Sequence, residues 1–193
     1  MDEKKQRFIT ICKEKIKRAG IDDLLQWLEK SDFYYAPAST KFHGNYEGGL
    51  LDHSLNVYDN LVKLIQAFPL PNETFDEESI AIVALFHDIC KVNFYKKGSR
   101  NVKGEDGKWF AKEIYEINEK IPLGHGEKSC ILLQQFMKLS IRELLSIRWH
   151  MGGFDSATKG GDYGMSGAQD YTHLVTLLQA ADMLATMTEI KID

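Results

Sequence analysis

Apolar side chains recur every three or four positions over most of this chain, the spacing of helices with one buried face. Residues 3–18 set Phe8, Ile9, Ile11, Cys12 and Ile16 among charges, and Gly20 follows where such a helix would stop. A second helix is expected from Asp22 or Asp23, burying Leu24, Leu25 and Leu28. The stretch YYAPASTKFHGNYEGG has turn formers and no period, so it reads as a loop. From Leu50 to Phe68 the period returns through Leu51, Leu55, Leu61, Val62 and Ile65, until FPLP breaks it. Asp76 is placed to cap the next helix, with Glu77 and Glu78 at the positive end of its dipole and Ile80, Val83, Leu85 and Phe86 on its buried side. His87 and Asp88 close that helix.

Residues 92–121 are different in kind, with aromatic and β-branched residues around glycine-containing turns, the pattern of one β-hairpin or two. Helix resumes from Gly126 to Lys138, and Ser140 with Glu143 predicts a capping box for a short helix that ends in IRWH. Six glycines between Gly152 and Gly167 indicate a loop, and a last helix is expected from Asp170 to Ile190. The chain therefore reads as one mainly α-helical domain over 1–193, with a helical extension at 1–40 and a β insertion at 92–121.

At 193 residues, 44% hydrophobic and 11% aromatic, the chain can bury a real core. It has no apolar run near the roughly 18 residues of a membrane span, and its first residues, MDEKKQRFIT, are charged, so a cytoplasmic location with no membrane partner is expected. The three cysteines, Cys12, Cys90 and Cys130, have no CxxC spacing, which argues against a disulfide framework or a thiolate zinc site. A net charge of −4 gives no general attraction to nucleic acid.

The chemistry concentrates in ALFHDICK, where His87 and Asp88 end an apolar run and Lys91 follows. A His-Asp pair alone is a weak motif. His53 lies in the preceding long helix, His125 opens a helix, His150 closes one, and Asp182 interrupts the apolar LLQAADMLA, where an unpaired carboxylate would cost several kcal/mol and a metal ion would offset that penalty. Adjacent residues on a helix point about 100° apart, so His87 and Asp88 can share an ion only at the helix edge.

In order along the chain, His53, His87-Asp88 and Asp182 resemble the H…HD…D pattern of the HD superfamily of metal-dependent phosphohydrolases, and Lys91 takes the lysine place of its HDxxK signature. Cys90 stands where many members have glycine. The stretch HGNYEGGLLDHS and the β insertion before LGHGEKS look most like the HD domain of bacterial 3′ to 5′ exoribonucleases. The resemblance implies an HD-domain helical bundle that binds divalent metal through His53, His87, Asp88, His125, His150 and Asp182. Two ions are implied, of Mn, Fe, Co, Ni, Zn or Mg. Asp88 and Lys91 would be catalytic, and Lys91, His43 and Lys159 would bind substrate.

The implied reaction is hydrolysis of a phosphoester by metal-activated water. Its substrate would be a nucleotide or a related small phosphorylated molecule, or alternatively the 3′ end of single-stranded RNA or DNA. A catalytically idle ligand sensor is the third reading. His125 and His150 could instead be helix-end histidines of a one-metal enzyme, and His43 a solvated loop histidine. His173 reads as structural. Lys96, Lys97, Arg100, Lys103 and Lys108 form either a solvated hairpin or a phosphate-facing patch, and Lys159 with Asp162 belongs to a lid or to a simple connection.

Overall fold

The computed structural model describes residues 2–105 and 107–189. Nine α-helices and one two-stranded sheet are present among them, in the order α1 Asp2–Lys15, α2 Ile21–Glu29, α3 Gly49–Ala67, α4 Glu77–Phe86, β1 Tyr95–Lys103, β2 Trp109–Ile117, α5 His125–Gln134, α6 Ile141–Trp149, α7 Ser156–Lys159, α8 Gly164–Tyr171 and α9 Leu174–Thr188. Among the described residues no helix is long and apolar enough to cross a membrane.

The helix α4 is the centre of the bundle. Every residue from Ile80 to Phe86 is buried, as expected of a helix apolar on all sides and enclosed by others. The helix α3 packs against α4 and along α9, while α6 joins α9, α5 and α4. The N-terminal helices are part of the same core: Phe8 of α1 meets Phe33, Tyr34 and Phe86 ring to ring, and Leu24 and Leu28 of α2 are fully buried. Ordinary end chemistry fixes the helices. The Asp76 side chain accepts from the Ser79 amide to start α4, and Ser140 with Glu143 completes the capping box of α6.

The strands pair antiparallel from Tyr95↔Ile117 to Lys103↔Trp109, forming one hairpin where the residue pattern allowed one or two. Two expectations need correction. The glycine-rich stretch after His150 is not a plain loop, because it folds into a 3-10 turn at Gly152–Phe154, then α7 and α8. Consequently the last helix does not begin at Asp170: Thr172 is extended at φ −155°, ending α8, and Glu73 caps a new start by accepting from the Thr172 hydroxyl at 2.6 Å and the His173 amide at 3.0 Å. The expected end of that helix at Ile190 lies outside the described residues.

Candidate metal centre

Three of the histidines are aimed by groups of their own neighbourhood. His87 caps the C-terminal end of α4, where its Nδ1 lies 2.9 Å from the Ala84 carbonyl oxygen; His150 caps α6 in the same way, with Nδ1 2.6 Å from Ile147. A carbonyl only accepts, so Nδ1 carries the proton on both rings and Nε2 presents a lone pair. His53, on α3, directs Nδ1 to the two carboxylate oxygens of Glu189 at 3.0 and 3.1 Å, and Glu189 is steadied by the Asn56 amide at 3.0 Å. All three rings thus leave Nε2 for the space between the helices.

Those nitrogens converge on two carboxylates. The His53 and His87 Nε2 atoms are 3.2 Å apart, His53 Nε2 is 3.2 Å from an Asp182 oxygen, and Asp88 Oδ2 lies 3.7 Å from His53 Nε2 and 3.6 Å from His87 Nε2. Donors about 2.1 Å from one ion stand about 3.0 Å apart in an octahedron and about 3.4 Å apart in a tetrahedron. The observed edges, 3.2 to 3.7 Å, lie on either side of the tetrahedral value and a little above the octahedral one. Asp88 itself leaves the helix at φ −105° and ψ 18°, a sparsely allowed conformation, and this departure removes the 100° divergence that adjacent helical residues would have.

On the other side of Asp88, its Oδ1 faces His150 Nε2 across 3.5 Å. Both atoms are buried and neither has a hydrogen-bond partner among the described residues. With His150 neutral, two acceptors face each other in a dry interior and repel; a proton on His150, which Asp88 favours against burial, or a cation between the two atoms would remove the penalty. The donors present therefore fit a divalent ion by distance and by chemistry. Four overlapping sets of ligand atoms could hold one: His53–His87–Asp182, His87–Asp88–His150, Asp88–Cys90–His125 and His43–His53–Glu189.

The charges follow the same layout. Burial opposes the His53 imidazolium, but its hydrogen bonds to the Asp182 and Glu189 carboxylates outweigh it and carry the group up to about 10. Burial dominates at His87 and holds it down to about 4, hence neutral. Asp88 lies well below the usual carboxylate range despite its burial, because the Lys91 ammonium is 2.5 Å from Oδ2 and the histidines surround it. Lys91 is buried as well, and Asp88 keeps it charged against that burial.

The remaining candidates separate. His125, the first residue of α5, turns Nδ1 to the Cys90 sulfur at 3.2 Å. It reaches the Asp88 side of the cluster because Gly126 lets α5 meet α6; a Cβ there would run into the carbonyl oxygen of Arg148. His43 comes in from the loop before α3, its ring 4.9 Å from that of His53 and its Nε2 buried without a hydrogen-bond partner among the described residues. Burial, then His53 and Lys91, hold His43 toward the neutral form.

Lys159 is exposed on α7, and the contact it makes is with the Phe154 ring, at 5.5 Å. His173 pairs with Glu73 at 2.8 Å, away from the cluster set, in the structural role expected of it. Of the hairpin cations, Lys96 pairs with Glu116 at 3.3 Å, whereas Lys97 and Arg100 line a groove that the sequence did not foreshadow. Two members of the cluster were missed by sequence reasoning. Glu189 carried a signal, since it lies seven positions after Asp182, two helical turns on; Cys90 was passed over because the cysteines have no CxxC spacing.

Comparison with curated proteins and comparison with solved structures each give no match. The family model described as HD domain matches residues 50–187, a span that begins just before His53 and ends just after Asp182, and the chain belongs to the HD domain family.

Proposed function

We propose that this protein is a metal-dependent phosphohydrolase that cleaves a phosphoester of a nucleotide or a related small phosphorylated substrate. The observation that carries the reading is the convergence of three imidazole Nε2 atoms and two carboxylates at ion-binding separations, with Asp88 Oδ1 and His150 Nε2 buried and unpartnered. His53, His87, Asp88 Oδ2 and Asp182 would hold one divalent ion, and the Oδ1 side of Asp88, with His150 and His125, a second. When bound, such ions supply a water acidic enough to attack phosphorus near neutral pH and positive charge for the phosphate oxygens.

The chain's own groups do the rest. Lys91 keeps a full charge beside Asp88, which supports a role in neutralising a substrate phosphate oxygen. His43 offers an unpartnered, neutral Nε2 to the same substrate. Glu189 and the Ala84 and Ile147 carbonyls fix the tautomers, so the ring nitrogens need no reorientation when a ligand arrives.

A second reading, 3′ to 5′ exonuclease, is favoured by one feature. A groove of about 580 Å³ between the hairpin and the loop that carries His43 is lined by Lys41, Lys97, Arg100 and Lys112 with Tyr46 and Tyr115. Cations interleaved with aromatic rings suit phosphates and stacked bases. No residue of the metal cluster is among its lining residues.

The test is hydrolysis of nucleoside mono- and triphosphates and of a labelled single-stranded oligonucleotide by the Mn²⁺-loaded protein, beside Asp88→Asn and the triple change of Lys97, Arg100 and Lys112 to Ala. Mononucleotide turnover that Asp88→Asn abolishes, together with its bound metal, supports the first reading. Degradation of the oligonucleotide alone, weakened by salt and by the triple change, replaces it with the second.

A further inference from the structure

Cys90 is the one thiol in contact with the cluster, and the proposed mechanism does not use it. It sits in the turn after Asp88 and is 2% exposed, with its sulfur 3.2 Å from His125 Nδ1. The ligand atoms of Asp88, Cys90 and His125 all lie within 4.8 Å of one another. Sulfur at about 2.3 Å and nitrogen at about 2.05 Å from one tetrahedral ion stand about 3.6 Å apart. The observed pair is close to that separation. Beside the sulfur contact, Asp88 Oδ1, a member of this group, and His150 Nε2, 3.5 Å from it, are buried with no hydrogen-bond partner among the described residues.

We infer that the Cys90 sulfur is a ligand of the second ion, with His125 and Asp88, which gives that position a soft donor and a preference for Zn²⁺ or Co²⁺ over Mn²⁺ or Mg²⁺. The inference rests on the metal reading above and deepens it. Binding breaks the S–H bond, forms a metal–sulfur bond and releases the proton to solvent, so no oxidant or reductant is involved. The first position, made of imidazole nitrogens and carboxylate oxygens only, has no such preference, so the two ions need not be the same element. The simpler role for the pair is a thiol donating a hydrogen bond to the imidazole, which predicts no effect of Cys90 on any metal.

The full chain, stripped with chelator and titrated with Co²⁺, tests this by absorption. Thiolate bound to Co²⁺ gives a near-ultraviolet charge-transfer band. Wild type should develop that band as the second equivalent binds, Cys12→Ser and Cys130→Ser should keep it, and Cys90→Ser and Cys90→Ala should lose it. Competition with a chromophoric chelator should show Zn²⁺ affinity at the second position falling about tenfold or more in Cys90→Ser, at least the loss that removal of a mere supporting partner brings, with Mn²⁺ affinity unchanged. Circular dichroism confirms folding of the variants, and the wild-type spectrum alone is decisive if they fail to fold. Two Co²⁺ bound without the band, or a band that persists in Cys90→Ser, overturns the inference and leaves the phosphohydrolase reading in place. A chain that binds no Co²⁺ overturns both.

Discussion

Arg18 clamps the ends of α4 and α6 opposite to the metal cluster, and its removal should be felt throughout the bundle. Its guanidinium binds the Glu143 carboxylate with Nη1 at 2.7 Å and Nη2 at 3.0 Å, reaches Glu78 at 3.1 Å, and donates to the Lys138 carbonyl at 2.9 Å. The Glu143 side chain has no exposure, and among the described residues only the Ser79 hydroxyl and the Ser140 amide serve it besides Arg18. Arg18→Met leaves that carboxylate buried without its cation, which costs about 3–5 kcal/mol; since Arg18 is itself 22% exposed, the low end applies, about 3 kcal/mol. For a chain of this size that is a fall in Tm of about 6–12 °C. Adding Glu143→Gln removes the stranded charge and should recover about 1–2 kcal/mol.

The pH dependence of the same pair has a definite sign. Burial opposes the Glu143 carboxylate, but Arg18 and its other hydrogen bonds hold it below the usual range, so its contribution is present above the unfolded value of about 4.3 and is lost as pH falls through the folded one. In Arg18→Met burial acts without the guanidinium, the carboxyl is pushed up instead, and the penalty disappears on protonation. The gap between wild type and variant should therefore narrow toward acid. Chemical denaturation at neutral pH and at about pH 4 measures it. A loss under about 1 kcal/mol, or a gap that stays constant with pH, would refute the account of Glu143 as a buried, paired charge.

Glu189→Gln should weaken binding of the first ion about 10- to 100-fold while leaving the helical circular dichroism unchanged, because it alters only the group that orients His53. His125→Ala and His150→Ala should each reduce bound metal from two ions to one, read by mass spectrometry, and a wild-type chain that never binds more than one ion would make both residues substrate contacts. Gly126→Ala should destabilise the fold by more than about 1 kcal/mol in thermal melts and also lower occupancy of the second position, since it drives α5 away from the Arg148 carbonyl and carries His125 with it.

The sequence made the helices legible where burial is one-sided, as in α3, and where end signals are local, as in the capping box at Ser140. The members of the candidate cluster were legible because His53, His87-Asp88 and Asp182 stand in the order of the family's H…HD…D pattern, and His53, His87, Asp88 and His150 are indeed buried. What escaped depends on tertiary contact. Glycines after His150 suggested a loop, yet Asp155 caps α7 and Glu73, about 100 positions away, caps the start of α9. Cys90 resembles any small core residue until His125 from another helix arrives beside it.

The placing of the cluster at helix ends explains how the chain can hold so many lone pairs in its interior. At a C-terminal end the last carbonyls lack helical partners, so the Ala84 and Ile147 oxygens are available to the Nδ1 protons of His87 and His150, three residues on. Each bond satisfies a carbonyl, selects the tautomer and aims Nε2, with no residue spent on support. Mid-helix His53 has no free carbonyl and needs Glu189 instead, which brings a charge. That charge, with Asp182, is why His53 holds a proton up to about 10 whereas His87 is neutral above about 4. Of the three rings only His87 is held neutral; Asp182 and Glu189 favour the proton on His53 and Asp88 favours one on His150, so an ion entering the first position must displace the His53 proton, and its affinity weakens as pH falls.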